Sequence, residues 1–230
     1  MSIRFEVQNI RLTFGTQAVL QDVSLGTVEG RCVGIIGPNG AGKTSLFDVM
    51  SGFVAPNAGR VILDGREVTG RSPVRIARLG VRRTFQGDEL FDDLTVIENL
   101  VAAGCTFQHG LELLELLELQ NSAALTVGSM PAGLRRLVGL GRALAGKPSA
   151  LLVDEPASGM VALEVERLVI ILHRIQREFD LGMLVVDHDM TFIRSLCDIV
   201  HVLDRGAQIC HGPPEAVLAD PRVLEVYLGI

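Results

Sequence analysis

A glycine-rich segment in the first third of the chain carries residues whose types and spacing fit binding of a phosphate chain. Residues 37–44 read Gly-Pro-Asn-Gly-Ala-Gly-Lys-Thr and match the pattern G-x-x-x-x-G-K-[ST]. Glycines let backbone N–H groups converge on phosphate oxygens, and a following helix adds a favourable dipole. Lys43 is expected to reach the β- and γ-phosphates, and the Thr44 hydroxyl to ligate Mg²⁺. The predicted nucleotide-binding residues are Gly37, Pro38, Asn39, Gly40, Ala41, Gly42, Lys43, Thr44 and Ser45.

Two acids follow an apolar run later in the chain. Residues 151–153 are Leu-Leu-Val, the pattern of a buried strand, and Asp154 and Glu155 come directly after them. Taken alone, such a pair is more often a solvated strand end, but the phosphate loop favours a catalytic role. We expect Asp154 to hold Mg²⁺ through a water and Glu155 to polarise the attacking water, which is typically worth about 10² to 10⁴ in rate.

The elements that must position these residues follow an α/β pattern. Residues 32–36 are continuously apolar, as in a strand buried on both faces, and a helix is expected to begin near Gly42. Alternation from residue 3 to residue 25, broken at residues 15–17, predicts antiparallel strands ahead of it. Later, buried strands at 151–153 and 183–186 are separated by a helix with one apolar face formed by Val165, Leu168, Leu172 and Ile175.

Turn and capping signals mark the remaining elements. A turn at Asp64-Gly65 and a hairpin at residues 204–206 are predicted to join strands. Ser72 and Pro73 favour the start of a short helix that Gly80 stops, and Thr95 with Glu98 has capping-box spacing. The Leu and Glu repeat at 111–119 indicates an amphipathic helix, and two short helices are expected after the hairpin.

Composition and charge exclude several classes of protein. The 230 residues are 48% apolar and 21% charged, which indicates a folded chain rather than a disordered one. Mean hydropathy is +0.36, but no apolar run reaches the length of a membrane span. The net charge of −6 argues against a nucleic-acid partner, and the first six residues do not resemble a signal peptide, so a cytoplasmic location is expected.

Cysteines and most histidines are assigned no chemistry. The four cysteines lack CxxC spacing, so we expect buried free thiols and no metal centre; they are Cys32, Cys105, Cys197 and Cys210. Four histidines fit no motif and are expected to be structural; they are His109, His173, His201 and His211.

These motifs together resemble the ATP-binding subunits of ABC transporters, over essentially the whole chain. The resemblance implies one domain over residues 1–230. It implies an α/β fold, a P-loop NTPase core of the ABC type, with an N-terminal antiparallel β subdomain and a helical subdomain at about residues 94–142. It also implies ATP and Mg²⁺ as ligands.

The resemblance adds three site residues. Phe14 lies where the family has an aromatic ring that stacks on adenine, although an isolated Phe would more often be core. Residues 83–86, Arg-Thr-Phe-Gln, match the segment of the family's Gln, so Gln86 would touch the metal and the attacking water and sense the membrane subunit. Residues 186–190, Val-Asp-His-Asp-Met, match the segment of the switch histidine, so His188 would contact the γ-phosphate.

One segment departs from the family's pattern. Where Leu-Ser-Gly-Gly-Gln is usual, residues 130–134 read Met-Pro-Ala-Gly-Leu, and only Gly133 is retained. Family members use this signature to cap the γ-phosphate of the opposing subunit, but Pro131 has neither a hydroxyl nor an N–H. Val161 also replaces an Asp that communicates across the pair. We therefore predict an asymmetric heterodimer, with a homodimer as the alternative, in which the partner's ATP turns over slowly.

Further segments are similar to the branched-chain amino-acid importer ATPases; they are residues 80–86, 90–91, 94–100, 187–190 and 226–229. This similarity implies a second ABC ATPase subunit, two transmembrane permease subunits, an extracytoplasmic solute-binding protein and a place on the cytoplasmic face of the membrane. Import of urea or short amides and lipopolysaccharide export remain alternatives. So does a structural partner that binds ATP with little hydrolysis. A soluble ABC ATPase acting on ribosomes or DNA is disfavoured by length and charge.

Overall fold

Two sheets form the framework of the protein in the computed structural model, which describes residues 3–84 and 89–228. The N-terminal sheet has the strand order β2-β1-β4-β5 and is antiparallel throughout. Its strands are β1 (Ile3–Phe14), β2 (Gln17–Val28), β4 (Ala58–Leu63) and β5 (Arg66–Glu67). The predicted antiparallel region and the turn at Asp64-Gly65 are confirmed.

The second sheet has the strand order β10-β9-β3-β8-β7-β6. Its strands are β3 (Cys32–Ile36), β6 (Val81–Arg83), β7 (Ala150–Asp154), β8 (Gly182–Val186), β9 (Ile199–Asp204) and β10 (Ala207–Gly212). All neighbours are parallel except the hairpin β9–β10. Every residue of β3, β7 and β8 is buried, as the continuous apolar runs predicted.

Nine α-helices pack around these sheets in the described residues. They are α1 (Lys43–Met50), α2 (Pro73–Arg78), α3 (Val96–Ala102), α4 (Phe107–Leu116), α5 (Ala132–Leu144), α6 (Ala162–Phe179), α7 (Met190–Leu196), α8 (Pro214–Leu218) and α9 (Pro221–Leu228). Short 3-10 helices at Gln120–Ser122 and Val127–Ser129 lie between α4 and α5. None of the helices in the described ranges is both long and apolar enough to cross a membrane.

The helix signals in the sequence are confirmed at two positions, and at a third the predicted helix is present with different bounds. Ser72 and Pro73 begin α2, and Thr95 and Glu98 form a reciprocal capping box at α3. The helix predicted over 111–119 is instead α4, which starts four residues earlier. The reason is Thr106, whose hydroxyl accepts a hydrogen bond from the backbone N–H of His109 and so caps the helix there.

The cysteine prediction was partly wrong. Cys32, Cys105 and Cys197 are buried free thiols, but Cys210 is only half-buried because it lies on the edge strand β10. Cys32 and Cys197 are far apart in the chain, yet their sulfur atoms are 3.6 Å apart in the core.

The order of the strands in the second sheet determines where the predicted site residues lie. Strands β3, β8 and β7 are adjacent and parallel, so the loops that follow their carboxyl ends meet at one edge of the sheet. Those loops begin at Gly37, Asp187 and Glu155 respectively. The predicted phosphate loop, Glu155 and His188 therefore lie at the same edge of the sheet.

Candidate nucleotide-binding and catalytic site

The phosphate loop depends on glycine at two positions. Gly37 (φ +151°) and Gly42 (φ +100°) lie in a backbone region that side chains with a Cβ rarely adopt. A Cβ added to Gly42 would lie 2.8 Å from the Val19 carbonyl oxygen. Helix α1 starts at the next residue, so its first N–H groups point into the loop. The sequence thus builds a concave backbone surface at the N-terminus of a helix.

Lys43 is buried within this loop, with only 8% of its surface exposed. Its Nζ donates hydrogen bonds to the carbonyl oxygens of Gly37 at 2.7 Å and Pro38 at 3.0 Å. Burial lowers the pKa of the Lys43 ammonium, and the nearby carboxylates of Glu155 and Asp154 oppose that shift. The loop therefore holds a desolvated cation between two of its own carbonyls and two acids.

A cavity of about 310 Å³ opens in front of the loop. Residues 39–45 line it together with Glu155, and Phe14, Gln17 and Val19 close the far side. Phe14 stands at the end of β1 with 53% of its surface exposed, so its ring is available to a ligand rather than packed in the core. The loop with its Lys43 ammonium, the Glu155 carboxylate and the Phe14 ring therefore all border the same cavity.

Asp154 sits at the end of β7 and is 5% exposed. Its Oδ2 accepts a hydrogen bond from Arg83 at 2.8 Å, and its Oδ1 is buried with no hydrogen-bond partner. Burial raises the pKa of this carboxyl, and the Arg83 guanidinium opposes the rise. A buried carboxylate oxygen without a donor is the kind of atom a cation or its water would satisfy.

The oxygen donors of Asp154 and Thr44 fit Mg²⁺. Within residues 3–84 and 89–228 no three His, Cys, Asp or Glu side chains come together in a metal-binding cluster. Mg²⁺ is commonly held by one or two protein oxygens, waters and phosphates, which Asp154 and Thr44 can supply beside a bound nucleotide. Gln86, the third predicted metal ligand, lies outside the described residues.

Glu155 follows Asp154 in a left-handed conformation, with φ +45°. Non-glycine residues in this region carry strain and cluster at functional sites. The backbone N–H of Glu155 donates to the Val186 carbonyl at 2.8 Å, which fixes the turn against the neighbouring strand β8. This turn points the acid at the cavity that the phosphate loop lines.

Asp187, directly after β8, ties the remaining loops together. Its carboxylate is fully buried and accepts hydrogen bonds from the backbone N–H groups of Ala157 (3.0 Å), His188 (2.7 Å) and Asp189 (2.9 Å). Burial raises the pKa of Asp187, and these three bonds oppose the rise. The loops that carry Glu155 and His188 are thus anchored to one carboxylate.

His188 is placed beside the cavity's loops but not among its lining residues. Its side chain is 62% exposed, and its Nδ1 lies 3.7 Å from the Asp187 carboxylate. The predicted contact of His188 with a γ-phosphate stays a prediction.

The divergent signature segment forms the start of α5. Pro131 occupies the N-cap position and makes no side-chain capping bond. The carboxylate of Glu164 lies beside Gly133, 3.3 Å from where a Cβ on that glycine would be. Val161, at the N-cap of α6, is 65% exposed. The N-terminus of α5 therefore has a carboxylate close by and no capping hydroxyl.

Three residues near the site carried no role in the sequence analysis. Arg83 and Asp187 lie within the two segments that resemble the family, but no role was predicted for them, because their partners are distant in the chain. Burial raises the pKa of the Tyr227 hydroxyl in α9 to about 12, and the backbone of Gly37 opposes the rise. No local pattern in the sequence could have found these long-range contacts.

Two segments of the chain match known protein families. Residues 20–158, more than half of the chain, match the ABC transporter family. Residues 207–230 match the C-terminal segment of the branched-chain amino acid ATP-binding cassette transporters.

Individual proteins are similar over nearly the full length. The high-affinity branched-chain amino acid transport ATP-binding protein BraF of Pseudomonas aeruginosa is 33% identical over 97% of both chains. The lipopolysaccharide export system ATP-binding protein LptB of Acidithiobacillus ferridurans is 32% identical over 100% of this chain and 98% of its own. The ADP conformation of MJ1267, an ATP-binding cassette of an ABC transporter, superposes with a TM-score of 0.90, at 28% identity over 100% of both chains. The chain therefore belongs to the ABC transporter family and is one of its ATPases.

Proposed function

We propose that the cavity in front of the phosphate loop binds ATP with Mg²⁺ and that Glu155 is the base of hydrolysis. The observation that carries this is the single cavity lined by residues 39–45 and by Glu155. A carboxylate facing the phosphate end of a nucleotide cradle is placed to accept a proton from a water there. Glu155 would act on that water, and Lys43 would neutralise the charge of the phosphates.

The other site residues would hold the nucleotide and its metal. Phe14 would stack on the adenine, and Thr44, Gln86 and Asp154 would hold Mg²⁺ directly or through water. When bound, Mg²⁺ supplies charge stabilisation to the phosphoryl oxygens. His188 would contact the γ-phosphate once its exposed side chain turns toward the cavity.

We further propose that the chain drives import of branched-chain or other hydrophobic amino acids. The similarity to BraF and the C-terminal match at residues 207–230 support this substrate class. In such an importer the chain would work at the cytoplasmic face of the membrane with a second ABC ATPase subunit and two transmembrane permease subunits. An extracytoplasmic solute-binding protein would deliver the cargo.

The second ATPase subunit is proposed to be unlike this one. Pro131 offers no hydroxyl or N–H at the α5 N-terminus, and the Glu164 carboxylate beside Gly133 repels an incoming phosphate. ATP held in this chain would be capped by an intact partner signature and hydrolysed. ATP held by the partner would be capped poorly here and turn over slowly.

Export of lipopolysaccharide is the second candidate. The observation that favours it is the 32% identity to LptB over the whole chain. Reconstitution with each class of permease would separate the two, because the ATPase rate should rise only with the permeases it serves.

The catalytic assignment is tested by Glu155→Gln, which removes the base and keeps the side chain's size. We expect turnover to fall by about 10² to 10⁴ with ATP binding retained. Glu178→Gln is the matched control, because Glu178 is exposed on α6 and lies outside the cavity. Equal turnover in wild type and Glu155→Gln would refute the role, and equal turnover at the background rate would favour a partner that binds ATP without hydrolysing it.

The asymmetry has its own test in the assembled transporter. Removing the catalytic Glu of this chain should abolish most of the turnover, whereas the same change in the partner should have little effect. An equal loss from either change would overturn the asymmetric heterodimer.

A further inference from the structure

The guanidinium of Arg83 joins three elements next to the proposed metal site. At the end of β6, Arg83 donates to Asp154 Oδ2 at 2.8 Å, to Asp48 Oδ1 at 2.6 Å and to Ser51 Oγ at 3.2 Å. Its side chain is 7% exposed and lies over the ring of Phe47, 5.5 Å from the ring centre. This bridge uses one oxygen of the Asp154 carboxylate, Oδ2, and leaves the other, Oδ1, without a hydrogen-bond partner.

The bridge connects the parts of the site that have to keep their relative positions. Asp48 and Ser51 belong to α1 and its C-cap, so they move with the phosphate loop that precedes that helix. Asp154 ends β7, and its backbone N–H donates to the Thr84 hydroxyl, next to Arg83, at 3.1 Å. A planar guanidinium can hold two carboxylates at fixed angles, which a single ammonium cannot do.

We propose that Arg83 is a positioning residue for the metal acid. By holding Asp154 Oδ2, it fixes the carboxylate so that Oδ1 alone faces the nucleotide's Mg²⁺, and it keeps that oxygen in register with α1 and the phosphate loop. The inference rests on the proposed role of Asp154 in holding Mg²⁺. Outer partners that orient a ligand typically change metal affinity by about 10- to 100-fold when they are replaced.

A purely structural ion pair would behave differently. Its loss would lower the stability of the chain and weaken nucleotide binding by the same factor with and without Mg²⁺. A positioning role predicts a selective effect, because only the Mg²⁺-dependent part of nucleotide binding uses Asp154 Oδ1.

The test uses Arg83→Lys in the full-length chain, with a fluorescent N-methylanthraniloyl ATP as the probe. Lysine keeps the positive charge but cannot hold both carboxylates, so the comparison reports geometry rather than net charge. We expect the Mg²⁺ concentration for half-maximal gain in probe affinity to rise about tenfold, with the Mg²⁺-free affinity within about twofold of wild type. Arg82→Lys is the matched control, since Arg82 packs its guanidinium against Gly146 instead.

Two further variants separate the possible failures. Asp154→Asn tests the proposed metal acid itself. If it keeps the wild-type Mg²⁺ requirement, the metal role of Asp154 is wrong and the inference fails with it. If Asp154→Asn loses the Mg²⁺ gain but Arg83→Lys does not, only the positioning role of Arg83 is overturned. An equal loss of affinity with and without Mg²⁺ in Arg83→Lys would also overturn it.

Asp48→Asn removes the charge from the α1 end of the same bridge, where a neutral amide oxygen can still accept from Arg83, and leaves the Arg83–Asp154 contact in place. It is expected to raise the Mg²⁺ requirement by about two- to threefold, less than Arg83→Lys, because the α1 end is weakened but not lost. This variant also tests the proposal if Arg83→Lys does not fold. An unchanged Mg²⁺ requirement in Asp48→Asn would then contradict the positioning role of the bridge.

Discussion

Replacing Asp187 by Asn tests how the loops around the cavity are held. The carboxylate accepts three backbone hydrogen bonds, two at Oδ1 and one at Oδ2. An Asn oxygen can keep the pair from His188 and Asp189, but its NH₂ group would then face the N–H of Ala157. One charge-assisted bond is lost outright, and the other two become neutral bonds of about half the strength.

The magnitude follows from these bonds. Losing a buried bond to a charged group costs about 1.5–3 kcal/mol, and weakening two others costs about 0.5–1 kcal/mol each. Burial of the charge, which raises the pKa of Asp187 above its ordinary value, is relieved by the substitution and offsets part of this cost. We therefore expect Asp187→Asn to lower the free energy of unfolding by about 2 kcal/mol at neutral pH.

Turnover should fall as well, because the loop that carries Glu155 loses its bond from Ala157 to this side chain, and the loop that carries His188 is held more weakly. Urea unfolding followed by circular dichroism measures the stability, and phosphate release measures the turnover. Asp93→Asn, at an exposed position, is the control and should change neither. A stability within about 0.5 kcal/mol of wild type together with normal turnover would show that the Asp187 network does not organise the site.

Three further predictions concern other features. Burial lowers the pKa of His201 to about 4, so its folded form stays neutral while the unfolded chain takes up a proton below a pKa of about 6.5. Wild type should therefore lose about 3 kcal/mol more unfolding free energy than His201→Gln as the pH falls from neutral to about 4, and parallel pH curves in urea titrations would contradict this. Gly42→Ala, at φ +100° and 2.8 Å from the Val19 oxygen, should weaken binding of the fluorescent ATP by at least about tenfold. Gly65→Ala, also at positive φ but with open space around it, should leave that binding unchanged; an equal effect from both would refute the steric argument. Pro131→Ser restores a capping hydroxyl to α5 and should raise the turnover of the partner's ATP site in the assembled transporter, and an unchanged rate would mean that Pro131 does not limit it.

The features predicted best from the sequence are those formed by residues close together in the chain. Short continuous apolar runs predicted β3, β7 and β8, because runs of this length that end at glycine or charged residues are typical of strands buried on both faces. The phosphate loop was readable because its glycines and Lys43 are adjacent in the chain. The capping box at Thr95 also lies within one turn, and it is present as predicted.

The sequence was least informative where contacts join distant residues. Arg83 and Asp154 are 71 positions apart, and Ala157 and Asp187 are 30 apart, so neither contact has a local pattern. The start of α4 was misplaced because the Leu and Glu repeat was weighed above the cap at Thr106. Burial of Cys210 was misjudged because an apolar neighbourhood in sequence does not distinguish an edge strand from a central one.

The most direct test of the account is to trap the Glu155→Gln chain with ATP in its native host membrane. The trapped complex would be isolated, and its components identified by mass spectrometry. We expect two permease chains and a second ATPase subunit with an intact signature segment. Recovery of this chain alone, or with non-membrane partners only, would contradict the transporter assembly, and recovery of permeases with no second ATPase would contradict the heterodimer.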